Sequence, residues 1–286
     1  MSFKPFLALL GAALAAAPCA AHDFWIEPSS HRPAVGDVLE ARLFIGHAGE
    51  KEAYARNPRH LVELALRGGA ERRDLLGRPG DDPAGRLRLE EAGTFVLAYR
   101  SRTSSLEMEP AAFESYLREE GLEHVVDERA RRGESQRPGR EAYSRCAKAL
   151  LRTAGASAGG HDRALGLALE LVPLSDPFTH DPEHAGPFLL RVDRDGEPLA
   201  GVQVHAASLD RPSTPELRAR SDAEGRVRLA LPHAGRWSLC AVHMERATEE
   251  AEHDWRSYWA SLTFPVGSPQ LPATEGVDAR KKARAE

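Results

Sequence analysis

Two predicted strands and the turn between them occupy residues 188–205, with the sequence FLLRVDRDGEPLAGVQVH. Asp195-Gly196, in the middle of this stretch, is a dipeptide that favours the tight turn of a β-hairpin. Further apolar segments, again separated by glycine-containing turns, follow at 227–231, 235–244 and 255–266. Short strands joined by turns, without helical patterns between them, are typical of an antiparallel β-sandwich. We assign this C-terminal sandwich to residues 165–266.

The N-terminal part of the chain shows a similar strand pattern. Apolar residues at 39, 41, 43 and 45 alternate with the charged residues Glu40 and Arg42, as in a strand that is buried on one face. Further strands are predicted at 61–66, 87–89 and 94–99. We therefore predict a first antiparallel sandwich over residues 22–105.

Residues 106–164 differ in composition, with more Glu, Arg, Ala and Leu than the segments on either side. Pro110 suits the first turn of a helix. Residues 141–151 have helical spacing, with Tyr143, Cys146 and Leu150 on one face. The predicted fold class is therefore mostly β, with two antiparallel β-sandwich domains and a helical insertion between them.

Both ends of the chain are predicted to lie outside these domains. Residues 1–21 read as a secretory signal peptide, with Lys4 before a short apolar run and small residues before the cleavage site. Cleavage between Ala21 and His22 would give a periplasmic or secreted protein that begins at His22. A lipoprotein processed at Cys19 is the competing interpretation. Residues 267–286 are polar and predict a disordered tail.

Composition excludes some classes of partner. The chain has 38 basic and 43 acidic residues, a formal net charge of −5, and no basic cluster of the kind that binds nucleic acid. No apolar stretch reaches the roughly 20 residues of a membrane-spanning helix, so we expect a protein that does not span the membrane. An exported protein can form disulfides, but the spacing of Cys146 and Cys240 does not establish one.

Two resemblances carry further expectations. Residues 195–204, followed by 221–227 and 235–237, resemble the transthyretin-like or carboxypeptidase-regulatory-like sandwich, which implies a fold and no chemistry. The chain after the signal is also similar to an exported bacterial family of unknown function, often described as the periplasmic component of a nickel/cobalt transport system. The segments that carry this second resemblance are 22–28, 46–47, 143–151, 171–177, 241–244 and 255–264. The charged tail and Cys146 depart from that family's pattern.

His22 is the first candidate metal ligand. As an N-terminal residue it would offer its α-amine and its imidazole Nδ1 to one ion, and a free α-amine has a pKa of roughly 7.7–8.0. Mixed amine and imidazole ligation suits nickel and copper, and cobalt is possible. The apolar residues Phe24, Trp25 and Ile26 are expected to anchor the terminus by burial.

Two further histidines complete the predicted metal site. His47 ends the first long strand beside Gly46, and His243 lies on a later apolar strand. His205 is similar to His243 but is the weaker candidate. The sequence contains no HExxH motif, no CxxC motif, no nucleophile elbow and no phosphate-binding loop, so no catalytic residues are predicted.

These observations favour a non-catalytic protein that binds nickel, cobalt or copper in metal uptake or homeostasis. The resemblance implies a metal ABC or energy-coupling transporter as its partner. Two other functions stay open at this point. One is a copper oxidase of the histidine-brace kind, built on His22 and a second histidine. The other is a metal-free adhesion or scaffold protein.

Overall fold

The computed structural model describes residues 23–47, 49–68, 71–248 and 251–267. The predicted signal peptide 1–21, the residue His22 and the tail from residue 268 onward lie outside the described residues.

The described residues form seventeen strands and two helices. In chain order they are β1 (Asp23–Pro28), β2 (Val38–His47), β3 (Glu50–Ala53), β4 (Leu61–Gly68), β5 (Glu71–Asp74), β6 (Gly85–Arg88), β7 (Thr94–Ser101), β8 (Ser104–Met108), α1 (Pro110–Glu119), α2 (Glu123–Arg131), β9 (Gly139–Arg152), β10 (Leu169–Pro173), β11 (Phe188–Arg194), β12 (Glu197–Pro198), β13 (Gln203–Ser208), β14 (Leu217–Arg220), β15 (Arg226–Leu229), β16 (Gly235–Arg246) and β17 (Trp255–Val266). The prediction of a mostly β protein is therefore confirmed.

One nine-stranded sheet runs through both halves of the described chain. Its strand order is β14-β13-β16-β17-β9-β7-β4-β5, and β8 also pairs with β9. The ladder between β17 and β9 is parallel, and it joins C-terminal strands to N-terminal ones. Two four-stranded sheets accompany the large one: β1, β2, β3 and β6 form the first, and β10, β11, β12 and β15 form the second.

The prediction of a helix over residues 141–151 was wrong, because this segment belongs to strand β9. Its Ala147 and Ala149 pack in one hydrophobic cluster, and Leu150 packs in another on the opposite face of the sheet. A strand that is buried on both faces has no polar face, so its apolar residues can imitate helical spacing. The predicted helical insertion over 106–164 therefore contains helices only at α1, which does begin at Pro110, and at α2.

The hydrophobic core consists of three clusters of side chains. One lies between the sheet of β1 and β2 and strands β4, β7 and β9. A second lies between the sheet of β10, β11 and β15 and strands β13, β16 and β17. The third lies beneath the two helices, against β16 and β17.

Strand β1 is firmly packed at the place where the large sheet passes from its N-terminal strands to its C-terminal strands. Phe24, Trp25 and Ile26 are at most 5% exposed, as their apolar character predicted. The Thr263 hydroxyl of β17 donates a hydrogen bond of 2.6 Å to the carbonyl of Ile26. This packing fixes Asp23, the first residue of β1, against the C-terminal half of the large sheet.

Three smaller predictions have clear outcomes. Asp195 and Gly196 both have positive φ angles, 51° and 89°, and form the predicted tight turn from β11 to β12. The strand predicted over 198–205 is divided, because β12 pairs with β11 while β13 belongs to the large sheet. Cys146 and Cys240 are buried free thiols, so they do not form a disulfide. Neither α1 nor α2 is long and apolar enough to cross a membrane, and they are the only helices in the part of the chain that is described.

Candidate functional site

A small cavity lies at the start of β1, where this strand meets β13 and β16. We call it the His205 pocket, and its lining includes Asp23, Trp25, His205, Glu216, Ser238 and Cys240. Its volume is about 10 Å³. A cavity of this size accommodates about one water molecule or one ion.

The register of two antiparallel strands brings His205 and Cys240 into the pocket. His205 of β13 lies directly opposite Cys240 of β16. Because side chains alternate across a strand, His205 points away from the face on which Val204 and Ala206 enter the hydrophobic core. The strand pattern that buries these two neighbours therefore places a histidine on the polar side of the sheet.

Hydrogen bonds fix the orientation and tautomer of the His205 ring. Its Nδ1 lies 3.1 Å from Glu216 Oε1, and the Gln203 side-chain nitrogen lies 3.1 Å from its Nε2. An amide nitrogen can only donate, so Nε2 accepts from Gln203 and Nδ1 carries the proton that is donated to Glu216. A histidine ring with a carboxylate behind one nitrogen is the arrangement found at many metal ligands.

Three carboxyl groups surround this ring. Glu120, which follows α1, places Oε2 3.8 Å from His205 Nε2. Burial raises the pKa of the Glu120 carboxyl well above its usual range, and the negative charge of Asp23 raises it further. The hydrogen bond from His205 lowers the pKa of Glu216 to about 2. The pocket thus combines one firmly ionised carboxylate with carboxyl groups that are costly to ionise without a nearby cation.

Asp23 and Cys240 complete the polar lining. Burial raises the pKa of the Asp23 carboxyl, while His205, His47 and a hydrogen bond from the Cys240 thiol act in the opposite direction. Burial and the charge of Asp23 raise the pKa of the Cys240 thiol well above its usual value. The thiol is therefore protonated at neutral pH and would serve as a metal ligand only by losing that proton.

The predicted ligand His47 lies at the rim of this pocket. Its Nδ1 is 4.0 Å from Asp23 Oδ2, and its side chain is about half exposed. The tight turn at Gly46 holds it there, since a side-chain carbon on Gly46, whose φ is +126°, would lie 2.4 Å from the Glu50 carbonyl oxygen. His47 is therefore close to the residue that follows His22 in the sequence.

The predicted ligand His243 lies in a different environment. Its ring stacks on His124 of α2, with centroids 6.4 Å apart, and its Nε2 is 3.9 Å from Glu245 Oε2. Burial lowers the pKa of His243 below its usual value. The structure thus brings His47 to the start of β1 and leaves His243 beneath helix α2.

Among the residues that the structure describes, no group of three or more His, Cys, Asp or Glu side chains is arranged to hold a metal ion. A metal at the His205 pocket would therefore need donors from outside the described residues. The residue that precedes Asp23 is His22, which is outside that part of the chain.

Sequence reasoning missed most of the His205 pocket. It ranked His205 below His243, and it did not select Glu120, Glu216 or Cys240. These residues come from separate elements that only the tertiary fold assembles. The one local signal was the alternation around His205, whose apolar neighbours indicate that it faces away from the core.

One comparison with known proteins gives a match. The family model described as "Domain of unknown function (DUF4198)" matches residues 19–245. This span includes every residue of the His205 pocket named above, as well as His22, His47 and His243. No curated protein matches the chain. The expected similarity to a family of unknown function is confirmed, whereas the nickel/cobalt role stays a prediction.

Proposed function

The chain belongs to the DUF4198 family, and we propose that it is an exported protein that binds one nickel, cobalt or copper ion at the His205 pocket. Two donors come from His22 once the signal peptide has been removed, namely its α-amine and its imidazole. A third donor is Nε2 of His205. In this proposal His47 is an additional ligand at the rim, and His243 takes no part.

The observation that carries the proposal is the position of Asp23. This residue, which directly follows His22 in the sequence, faces His205 from β13 and Cys240 from β16. Consecutive Cα atoms are 3.80 Å apart. In this proposal a chain that begins at His22 brings its free amine and its imidazole to the pocket, one residue before Asp23.

The donors and charges of the pocket suit a divalent transition metal. Amine and imidazole nitrogens favour copper and nickel, with cobalt also possible. The carboxyl groups of Asp23 and Glu120 would offset the charge of the ion in a site with little access to water. To bind at Nε2, the metal replaces the amide of Gln203, which keeps its other hydrogen bond of 3.2 Å to the Glu119 carbonyl.

At about 10 Å³, the pocket has space for about one ion or water molecule. In this proposal the ion is bound without catalysis. The protein in this proposal buffers the metal or delivers it to a metal ABC or energy-coupling transporter. That partner is implied by the resemblance to the nickel/cobalt transport family.

A titration of two forms of the purified protein tests the proposal. One form begins at His22, and the other carries a single glycine before it; both are titrated with Ni²⁺, Co²⁺ and Cu²⁺ by calorimetry. We expect one ion per chain for the first form and an affinity lower by about tenfold or more for the second, because the extra residue removes the terminal chelate ring.

A matched control is His184→Ala, which removes an exposed histidine paired only with Asp181. This variant should bind metal like the unmodified protein. Equal affinity in the forms with and without the added glycine would exclude a terminal chelate. The absence of binding to either form would overturn the metal-binding function.

A further inference from the structure

A second cavity lies beside α2, the loop that follows this helix and the start of β9. We call it the Arg129 cavity, and its lining includes Glu107, Arg129, Glu134, Arg137, Arg140 and Asp254. Its volume is about 230 Å³, which is enough for a small ion or organic acid together with water. None of these residues lines the His205 pocket, so the two cavities are separate.

Arg129 is the deeply buried member of this lining. Its side chain is 1% exposed, and its guanidinium carbon lies 4.9 Å from the centre of the Phe113 ring. Its Nη2 donates hydrogen bonds of 2.9 Å and 2.7 Å to the backbone carbonyls of Glu134 and Arg137. Both partners are uncharged. Because a guanidinium stays charged in proteins, burying it is costly unless a negative group accompanies it.

The carboxylate beside Arg129 compensates this charge only in part. Glu114 Oε1 lies 3.8 Å from Arg129 Nε, which is beyond hydrogen-bond distance. Both atoms are buried without a hydrogen-bond partner among the residues that the structure describes. The other oxygen of Glu114 accepts a hydrogen bond of 2.6 Å from Arg118. Arg129 is therefore a buried cation without a closely bound counter-ion.

The carboxylates of the cavity lining are bound elsewhere or exposed. Glu134 accepts two hydrogen bonds from Arg246, of 2.7 Å and 3.0 Å. Asp254 accepts two from Arg140, of 2.9 Å and 2.8 Å. Paired bonds of this kind are among the strongest in proteins, so these carboxylates stay with their own arginines. Glu107, the third carboxylate of the lining, is exposed.

Arg137 brings a second guanidinium to the cavity, on an exposed side chain. We propose that the Arg129 cavity binds one small oxyanion, the chemistry that inorganic phosphate and small carboxylic acids share. The oxyanion accepts hydrogen bonds from Arg129 and Arg137, because the oxygens of a phosphate or carboxylate match the donor geometry of a guanidinium. It supplies the negative charge that the buried guanidinium of Arg129 lacks.

Calorimetric titration of the metal-free protein with inorganic phosphate and, separately, with acetate tests this site. Chloride keeps the ionic strength constant, so that the screening of surface charges does not change during the titration. We expect one oxyanion per chain. The anion that binds more tightly identifies the site as one for a phosphate group or for a carboxylate.

Three variants locate the binding. Arg137→Gln removes the exposed guanidinium and keeps the backbone carbonyl that accepts from Arg129, so binding should weaken by about fivefold or more in a folded protein. Arg129→Met should abolish binding, and thermal unfolding shows whether this variant is folded. Arg132→Gln is the matched control, because Arg132 is exposed, pairs with Glu128 and does not line the cavity. The control should bind like the unmodified protein.

The variants decide the proposal even if Arg129→Met does not fold. Binding that is weakened in Arg137→Gln and unchanged in Arg132→Gln supports the site. The absence of binding of both anions to the unmodified protein would overturn it, and so would equal affinities in Arg137→Gln and Arg132→Gln. These outcomes are independent of the metal site, since the two cavities share no lining residue.

Discussion

Two histidines on neighbouring strands of the same sheet have very different surroundings. His205 on β13 is fixed between Glu216 and Gln203 and faces further carboxyl groups from β1 and from the end of α1. His243 on β16 stacks on a second imidazole, and its nearest carboxylate oxygen, from Glu245, is 3.9 Å away. The first environment attracts a cation. The second disfavours positive charge, since burial and His124 both lower the pKa of His243.

The difference shows that the chemical environment of a histidine on an apolar strand depends on the residues that other elements place beside it. Both residues follow a similar local pattern in the sequence. His205 lies near Asp23 of β1 and near Glu120, which follows α1, whereas His243 lies against His124 of α2 and near the positive charge of Arg194. A comparison of paired variants at the two positions therefore tests the proposed function with an internal control.

The largest expected difference comes from removing each imidazole. His205→Ala should lower the affinity for Ni²⁺ or Cu²⁺ by about 100-fold or more, because loss of a ligand should exceed the 10–100-fold cost of losing a group that only orients one. His243→Ala should change the affinity by less than about threefold, within the range of indirect effects. Calorimetric titration of both variants measures the difference.

Thermal unfolding of the two metal-free variants serves as the control for folding. Both should unfold cooperatively, so that a loss of affinity in His205→Ala reflects the site rather than a collapsed pocket. Equal losses in the two variants, or the larger loss in His243→Ala, would reverse the assignment of the site.

A smaller difference is expected from the carboxylates beside the two rings. Glu216→Gln keeps a hydrogen-bond acceptor for Nδ1 of His205 but removes the charge that makes the ring a better ligand. The affinity for metal should fall by about tenfold, the lower end of the range for such orienting groups. Glu245→Gln makes the same change next to His243 and should have no effect. Parallel metal titrations of the two variants measure this difference. An unchanged affinity in Glu216→Gln would show that Glu216 does not support a ligand.

The smallest effect concerns the titration of His243 itself. Its pKa is lowered from an ordinary value of 6.5, whereas the pKa of the exposed His184 is raised by its hydrogen bond to Asp181. NMR titration of the imidazole signals should therefore show His184 protonating at a higher pH than His243. Because the folded state resists protonating His243, this residue lowers the free energy of unfolding as pH falls below about 6.5. The reverse order of the two midpoints would contradict the buried, stacked environment described for His243.

Much of the strand structure could be predicted from local patterns. The last strand, 255–266, has the predicted bounds, and the hairpin at Asp195-Gly196 forms as its residue types require. Residues 141–151 could not be assigned in this way, because apolar side chains on both faces of β9 remove the alternation that identifies a strand. The parallel pairing of β9 with β17 also cannot be predicted from local sequence patterns, since the paired residues are more than one hundred residues apart in the chain.

The site was less predictable than the fold. The sequence predicted that Phe24, Trp25 and Ile26 anchor this part of the chain, and their burial agrees with that prediction. It could not show that Asp23 meets His205, since that contact depends on how β1 packs across the large sheet. The position of Glu120 beside His205 could not be predicted for the same reason, because the path of the chain after α1 determines where its carboxyl group lies.

The central claim is that one metal ion binds at His205 and the start of the mature chain. Anomalous X-ray diffraction from crystals of the protein that begins at His22, grown with Ni²⁺, locates such an ion directly. We predict a single strong peak about 2.1 Å from His205 Nε2, in contact with the N-terminal amine. A peak beside His243 with none at His205, or no ordered peak in crystals whose protein binds Ni²⁺ in solution, would contradict the claim.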